Sequence, residues 1–477
     1  MKKLSMADNG FLQVERPATP MHVGGVTTHK LPHGVNRREF FLEILENLGN
    51  WLSRRSPFNE RLKFPLFNVG VPSLVPAENL DLEYHIRHMA LPQPGTTEQL
   101  WTLIAQLHST PLDRGRPMWE CRLIEGLEGD RFAIYFKVHH SCIDGMGAMA
   151  LMKSMMTDDP SNLTMTLPSA RKKAHRLPAT LTSRVEGLAA LLGNQSKIAP
   201  ELGHAFKDIA QGLLEKDASG VPVWYTAPDS PINSALTAQR RFTVRSLALH
   251  DFKAIGKARG ATINEVVLAC CGGALRRYFL QRNDVPAKPL IACIPVSIRP
   301  KDGSGDGNAI TSLLCSLGTH LQDPLERLAQ VHSSSKSGKE QLNQMSKSSI
   351  EAYTMLLGLP FIAGQVLNLG KVVPLPFNMV ISNVPASEKT LYLQGAEMEG
   401  LFAVNLLFEK QALNITVTSY VDTLDFSFLA CRTVIPDLDT IADYLVESLD
   451  ELSMAVGLKA KPKASRKRKA KVTGLVP

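Results

Sequence analysis

The stretch Lys137 to Met149, KVHHSCIDGMGAM, places two adjacent histidines a few residues before an Asp-Gly pair. The residues ahead of it set the local structure. In Arg131 to Val138 (RFAIYFKV), Phe132, Ile134, Phe136 and Val138 share one parity, the period-2 pattern of a strand with one buried face. Continued for two residues, that register predicts His140 on the buried side and His139 on the other. After Gly145, Met146, Met149, Ala150, Met152 and Met155 or Met156 recur at helical spacing. The histidine pair is therefore expected at a strand end, in a loop that leads into a helix. Loops held by a rigid scaffold are common places for catalytic side chains.

The chain has 13 histidines, so a pair alone says little. A metal site would need further ligands at suitable spacing, and neither H-E-x-x-H nor C-x-x-C occurs, so no metal is expected. The seven cysteines are scattered and Cys270 and Cys271 are neighbours, which suggests no disulfide framework and a reducing compartment. The N-terminus has two lysines but no apolar core segment of a signal peptide, so the expected location is cytoplasmic.

Charge becomes informative once it is located. Lys459 to Pro477 (KAKPKASRKRKAKVTGLVP) holds eight basic residues and no acidic one, leaving 45 residues of each sign in the preceding 458. The excess of +8 belongs wholly to this basic tail, 458–477, read as a disordered end. Its functional reading is attraction to anionic lipid headgroups, with about 1 kcal/mol for each Lys or Arg near the surface. The neutral body offers no second support for a specific nucleic acid. Met355 to Phe377 is the most apolar stretch, but Gly358, Pro360, Gly364, Gly370, Lys371, Pro374 and Pro376 interrupt it, which argues against a spanning helix. A buried or hinge-like pair of short helices is expected there, with interfacial lipid contact as the alternative.

At 477 residues, the chain is long enough for two lobes of roughly 200 residues each. The first, 1–160, mixes strands such as Arg131 to Val138 with helices such as Glu98 to His108. A connector with a helical segment covers 161–236. From Arg240 a strand signal (RRFTVRSLAL) opens a second lobe, 237–457. Thr262-x-x-Glu265 ahead of VVLACCGGAL reads as a capping box at a helix start.

HHSCIDG (His139 to Gly145) resembles the HHxxxDG signature of the CoA-dependent acyltransferase superfamily. Five further stretches resemble the bacterial wax ester synthase/diacylglycerol acyltransferases in particular. They are PMHVGG (Pro20 to Gly25), PLDRGRPMWE (Pro111 to Glu120), ATINEVVLA (Ala261 to Ala269), PVSIR (Pro295 to Arg299) and NMVISNVP (Asn378 to Pro385), in the order the family has them. The resemblance implies a mixed α/β (α+β), two-lobe, chloramphenicol-acetyltransferase-like fold with its active site in a channel between the lobes. It also implies transfer of a fatty acyl group from acyl-CoA to diacylglycerol or a long-chain fatty alcohol. Triacylglycerol or wax ester and CoA would be the products. Acyl-CoA is then a substrate and no cofactor is expected. The expected setting is peripheral, at the inner face of the plasma membrane or on lipid inclusions.

Ester formation from a thioester and an alcohol requires removal of the hydroxyl proton as oxygen attacks. Neutral imidazole, with an ordinary pKa of about 6.5, suits that task near pH 7. His140 is the expected general base, His139 a supporting residue, and no covalent acyl-enzyme is required. The superfamily resemblance makes Asp144 structural, with Arg299 as a candidate partner, while Gly145 would supply a tight turn or clearance for substrate. Ser382, Asn383 and Asn264 are candidates for positioning substrate and oxyanion. Asp113 and Trp119 are expected to anchor a loop and pack. Where the family usually has Asn-Asp this chain has Asn264-Glu265, which leaves any distinct task of the Asp in doubt.

The alternatives are a catalytically silent lipid-binding or droplet protein, and a condensation-type acyltransferase with a different acceptor. No carrier-protein or adenylation segment, no Pro-Glu-Gly or Asp-Phe-Gly-Trp-Gly motif and no Gly-x-Ser-x-Gly elbow accompanies the histidine pair.

Overall fold

The computed structural model of the chain describes residues 2–65, 70–143, 145–163, 222, 224–297, 310–346 and 374–458, with isolated positions between 349 and 365. Near the N-terminus, β1 (Lys2–Lys3), β3 (Glu60–Lys63) and β4 (Ser73–Pro76) make a small three-stranded sheet. The first large sheet contains β2 (His22–Lys30), β5 (Ile86–Ala90), β6 (Trp119–Leu127), β7 (Arg131–His139), β12 (Tyr392–Leu393) and β13 (Ala396–Val404). Its order is β12-β13-β2-β7-β6-β5, so a hairpin from late in the chain completes a sheet begun near residue 22. The second large sheet has the order β10-β9-β11-β14-β15-β8. Its strands are β8 (Arg240–Ala248), β9 (Ile291–Ser297), β10 (Ile310–Ser316), β11 (Met379–Ser387), β14 (Leu413–Tyr420) and β15 (Thr423–Cys431).

Strand β7 explains where the histidine pair lies. Phe132, Ile134, Phe136 and Val138 pack with Phe40, Phe41, Ile44 and Leu48 of α2 (Arg37–Leu52). On the opposite parity, Ala133 and Tyr135 join a cluster with Leu100, Trp101 and Ile104 of α4 (Thr97–Ser109) and with residues of the second lobe. Every residue from Phe132 to His139 is buried. This corrects the expected alternation: a central strand covered on both sides has two buried faces, so parity does not separate core from solvent. The strand also ends at His139, one residue before the expected register reaches His140.

The second buried face is unusual in its polarity. Lys137, 0% exposed, donates to Leu107 O and Thr110 O, both at 3.0 Å, and its Nζ lies 3.2 Å from Glu120 Oε2. A cation is thereby placed against carbonyl groups at the C-terminal end of α4, where the helix dipole favours it. Gly24 on β2 has a packing reason, because a Cβ there would lie 2.9 Å from both Phe136 O and the Tyr135 ring. The lobes meet through Trp101, which packs edge-on against Phe242 of β8 and Phe402 of β13.

Helix α5 (Gly145–Ser154) follows the histidine loop, with Met152 buried, and Met155 and Met156 just beyond it are buried as well. Lys153 donates to Ala386 O of β11 at 2.9 Å, which joins this helix to the second sheet. The helices of the second lobe are α6 (Leu249–Arg259), α7 (Ile263–Leu280), α8 (Pro324–Asn343) and α9 (Leu438–Ala455). Thr262 and Glu265 form the expected capping box at the start of α7. No helix among the described residues is long and apolar enough to cross a membrane. Most of Met355–Phe377 and all of 459–477 lie outside the described residues.

Candidate active site

The chain leaves β7 through a tight turn. His139 N donates to Met118 O at 3.0 Å, His140 N donates to Met21 O at 2.9 Å, and Cys142 N returns to His139 O at 2.9 Å. These bonds fix the backbone of both histidines against β2 and β6. The two rings then have opposite surroundings. His139 is 0% exposed, whereas His140 is half-buried and its ring stacks on Phe11 of α1 (Met6–Val14) at 4.0 Å between centroids, with 22° between the planes.

His139 is held through its nitrogens. Ser141 N donates to Nδ1 at 3.1 Å, and Ser141 Oγ lies 2.7 Å from the same atom. A backbone N–H can only donate, so Nδ1 accepts and the neutral ring carries its proton on Nε2. Nε2 faces Glu15 Oε1 at 3.4 Å, an electrostatic contact longer than a good hydrogen bond. Glu15 is itself fully engaged. Oε1 accepts Met21 N at 2.9 Å, and Oε2 accepts Arg114 Nε and Nη2 at 2.9 and 2.7 Å. Burial pushes the Glu15 carboxyl up, but His139, the Met21 N–H and Arg114 outweigh it and hold it at about 2. The charged carboxylate therefore persists beside His139.

Behind His139 the polarity of the lobe junction continues. His22 is its cross-strand partner in the β2–β7 register. His22 Nε2 donates to His108 O at 2.9 Å, while the His108 ring bridges Tyr135 Oη and Asn405 O, both at 2.8 Å. Burial above all, with the Lys137 charge and the His108 ring nearby, holds His22 well below the ordinary imidazole range; burial and Lys137 hold His108 at about 3. These rings are neutral hydrogen-bonding groups at pH 7. A cleft of about 240 Å³ lined by Thr28, Trp101, Arg131, Ser246 and Phe402 lies at the other end of β2 and β7. Eight strand residues put it roughly 25 Å from the pair.

On the second lobe, Ser382 and Asn383 are half-buried on β11. Strand β11 pairs in parallel with β9 at Met379 and Val380. Val384 belongs to the same core cluster as Met152 of α5, and the Lys153–Ala386 bond ties β11 to this helix, which follows the histidine loop. Asn264 is half-buried in the first turn of α7. Beside it, Glu265 accepts from Thr262 N and from His332 Nδ1, both at 2.9 Å, with Lys339 Nζ at 3.5 Å. Burial pushes this carboxyl up, and those contacts outweigh it and keep it below the usual range. Glu265 thus caps α7 and ties it to α8. Glu265→Asp, one methylene shorter, is expected to lose part of this set and about 1 kcal/mol of stability in chemical denaturation. Unchanged stability would show that the tie to α8 contributes nothing.

Asp113 accepts from Gly115 N at 2.8 Å, and Trp119 is buried with its Nε1 donating to Phe58 O at 2.8 Å, in keeping with loop-anchoring and packing roles. Gly145 is the first residue of α5. Asp144 and Arg299 lie outside the described residues. Among the described residues no three His, Cys, Asp or Glu side chains converge as metal ligands. Sequence reasoning missed Phe11, Glu15, Met21 and Arg114 as partners of the pair. Arg114 stands in one of the quoted stretches, but it meets Glu15 across 99 positions, and no local pattern marks such a pair.

Two sheet-based lobes share an exchanged hairpin, and the HHxxxDG signature begins at the end of β7 in the first, as in the two-lobe CoA-dependent acyltransferase superfamily that the sequence resembles. Comparison with known proteins narrows this class. A model of the wax ester synthase/diacylglycerol acyltransferase catalytic domain matches residues 4–267, and one of the WS/DGAT C-terminal domain matches 306–453. The O-acyltransferase WSD of Acinetobacter baylyi is 36% identical over 463 residues, covering 94% of this chain and 96% of that protein. The structure of a wax ester synthase/diacylglycerol acyltransferase from Marinobacter aquaeolei is 34% identical, with a TM-score of 0.76, covering 96% of this chain and all of that one. A condensation domain of the calcium-dependent antibiotic synthetase shares the fold, at 16% identity, a TM-score of 0.61 and 96% coverage of both chains. The chain belongs to the wax ester synthase/diacylglycerol acyltransferase family and is an acyltransferase.

Proposed function

We propose that the protein transfers a long-chain fatty acyl group from acyl-CoA to the hydroxyl of diacylglycerol or of a long-chain fatty alcohol, with His140 as general base. The observation that carries this reading is the contrast within the pair. The His139 ring is sealed and its nitrogens face Ser141 and Glu15, while the His140 ring is half-buried and stacks by its face on Phe11. His140 takes the hydroxyl proton as the alcohol oxygen bonds to the thioester carbonyl carbon. The tetrahedral intermediate then expels the CoA sulfur, and the imidazolium returns the proton to it. Ser382, Asn383 and Asn264 are the donors nearest in role to an oxyanion site, and Asp144 with Arg299 serves structure. General acid–base assistance of this kind is worth about 10²–10⁴ in rate, so orientation of two apolar substrates supplies much of the rest.

The test is CoA release by the purified protein with palmitoyl-CoA and either hexadecanol or diacylglycerol. Turnover with one of them supports the reading. Absence of turnover with both favours another acceptor or a silent lipid-binding role. The similarity to the Marinobacter wax ester synthase/diacylglycerol acyltransferase supports the two acceptors chosen.

The same reading puts the protein on the cytoplasmic face, peripheral to membrane or lipid inclusions, with the tail 459–477 supplying attraction to anionic headgroups. Deleting 459–477 is expected to weaken sedimentation with anionic liposomes at low salt and to leave little difference at high salt. Equal binding with and without the tail would remove this role.

A further inference from the structure

We propose that Phe11 is a positioning residue for His140, and that the N-terminal segment carrying it makes the alignment of that ring depend on the apposition of the lobes. The inference rests on His140 being the base. The stacked geometry, 4.0 Å between centroids and 22° between planes, constrains the imidazole plane. Stacking acts on the face of a ring, so it fixes the plane in which both nitrogens lie.

Phe11 can act as a backstop because its helix is anchored on both sides of it. Ser5 caps the start of α1, accepting from Asp8 N at 3.0 Å, and Leu4 and Leu12 pack with Leu62, Leu74 and Met118. Arg114 Nη2 donates to Leu12 O at 2.8 Å and pairs with Glu15, just past the helix end. Two further bonds reach the other lobe. Arg16 Nη2 donates to Gln365 O at 2.9 Å, and Arg240 Nη2 of β8 donates to Ala18 O at 2.7 Å. Next, Met21 accepts from His140 N, so the segment from Phe11 to Met21 touches the His140 ring, the His140 backbone and both lobes. A displacement of the lobes relative to each other would reach the imidazole through this segment.

Phe11→Leu keeps an apolar side chain under the ring, and Phe11→Tyr keeps the aromatic face. Small misplacements of a reacting group can cost up to about 10²-fold, so Phe11→Leu is expected to lower kcat about tenfold or more. KM for acyl-CoA should stay within about twofold, the thermal unfolding midpoint should hold, and Phe11→Tyr should restore kcat. The ring protons of His140, identified by their loss in His140→Ala, should move downfield in Phe11→Leu as the ring current is removed, and stay in place in Phe11→Tyr. A Phe11→Leu protein with unaltered kcat and unaltered His140 resonances would overturn the proposal. So would a loss of kcat that tracks lost thermal stability and that Tyr fails to rescue. If His140→Ala itself turned over, the base assignment would fall, while the resonance shift would still decide whether Phe11 holds the ring.

Discussion

Replacing His140 by alanine is expected to lower acyl transfer by about 10²–10⁴-fold, the usual worth of a general base, with little change in thermal stability. Its ring is half-buried and is held by its face, so its removal leaves the backbone bond to Met21 intact. His139→Ala is expected to behave differently. That ring is 0% exposed, and deleting it strips Ser141 and Glu15 of a buried partner, at a cost of about 1–3 kcal/mol. Both variants should lose turnover, but only His139→Ala should also lose stability. Measuring CoA release and urea unfolding on the same samples separates the two roles. A stable His140→Ala protein that retained turnover would remove His140 from the chemistry.

Acidification is expected to unfold the protein well before its carboxylates are neutralised. Burial holds His29 and His108 at about 3, and burial, with the Lys137 charge and the His108 ring nearby, holds His22 well below the ordinary range. All three are 0–2% exposed. In the unfolded chain each titrates near 6.5. Below that pH the unfolded state binds more protons than the folded one, so stability falls as pH falls, by about 1.4 kcal/mol per unit for each ring. Asp425 works in the other direction. Burial pushes its carboxyl up to about 6, so the folded state holds a proton that the unfolded state lacks between about 6 and 4. His29 and His108 together outweigh Asp425 and leave a loss of about 1.4 kcal/mol per pH unit over that window, to which His22 adds in the same direction, against a total stability of about 5–15 kcal/mol. Below about 4.5 the stabilisation from Glu15, whose folded value is about 2, is lost as well. Urea midpoints at pH 7, 6 and 5 should fall steeply. A flat series would show that the three rings take up protons without unfolding.

Much of the local structure was legible. Period-2 alternation found β7, helical spacing found α5, Thr262-x-x-Glu265 found the start of α7, and the helix expected over Glu98 to His108 is α4. The two-lobe fold was legible through six short stretches rather than through composition. Parity failed at the histidine pair because it reports alternation along one strand, not how many sides that strand has covered. With α2 on one face and α4 with the second lobe on the other, His139 is buried on the parity expected to be open.

From the sequence alone came the HHxxxDG loop, its place between a strand and a helix, and the family to which the chain belongs. These depend on residues within about a dozen positions, or on ordered short motifs. Only the tertiary structure decided what holds each histidine. Glu15 meets Arg114 across 99 positions, Phe11 reaches His140, and Arg240 reaches Ala18 across 222. Such contacts arise when strands far apart in the chain close into one sheet and two lobes press together. That apposition leaves no period, spacing or composition in the segments that take part in it.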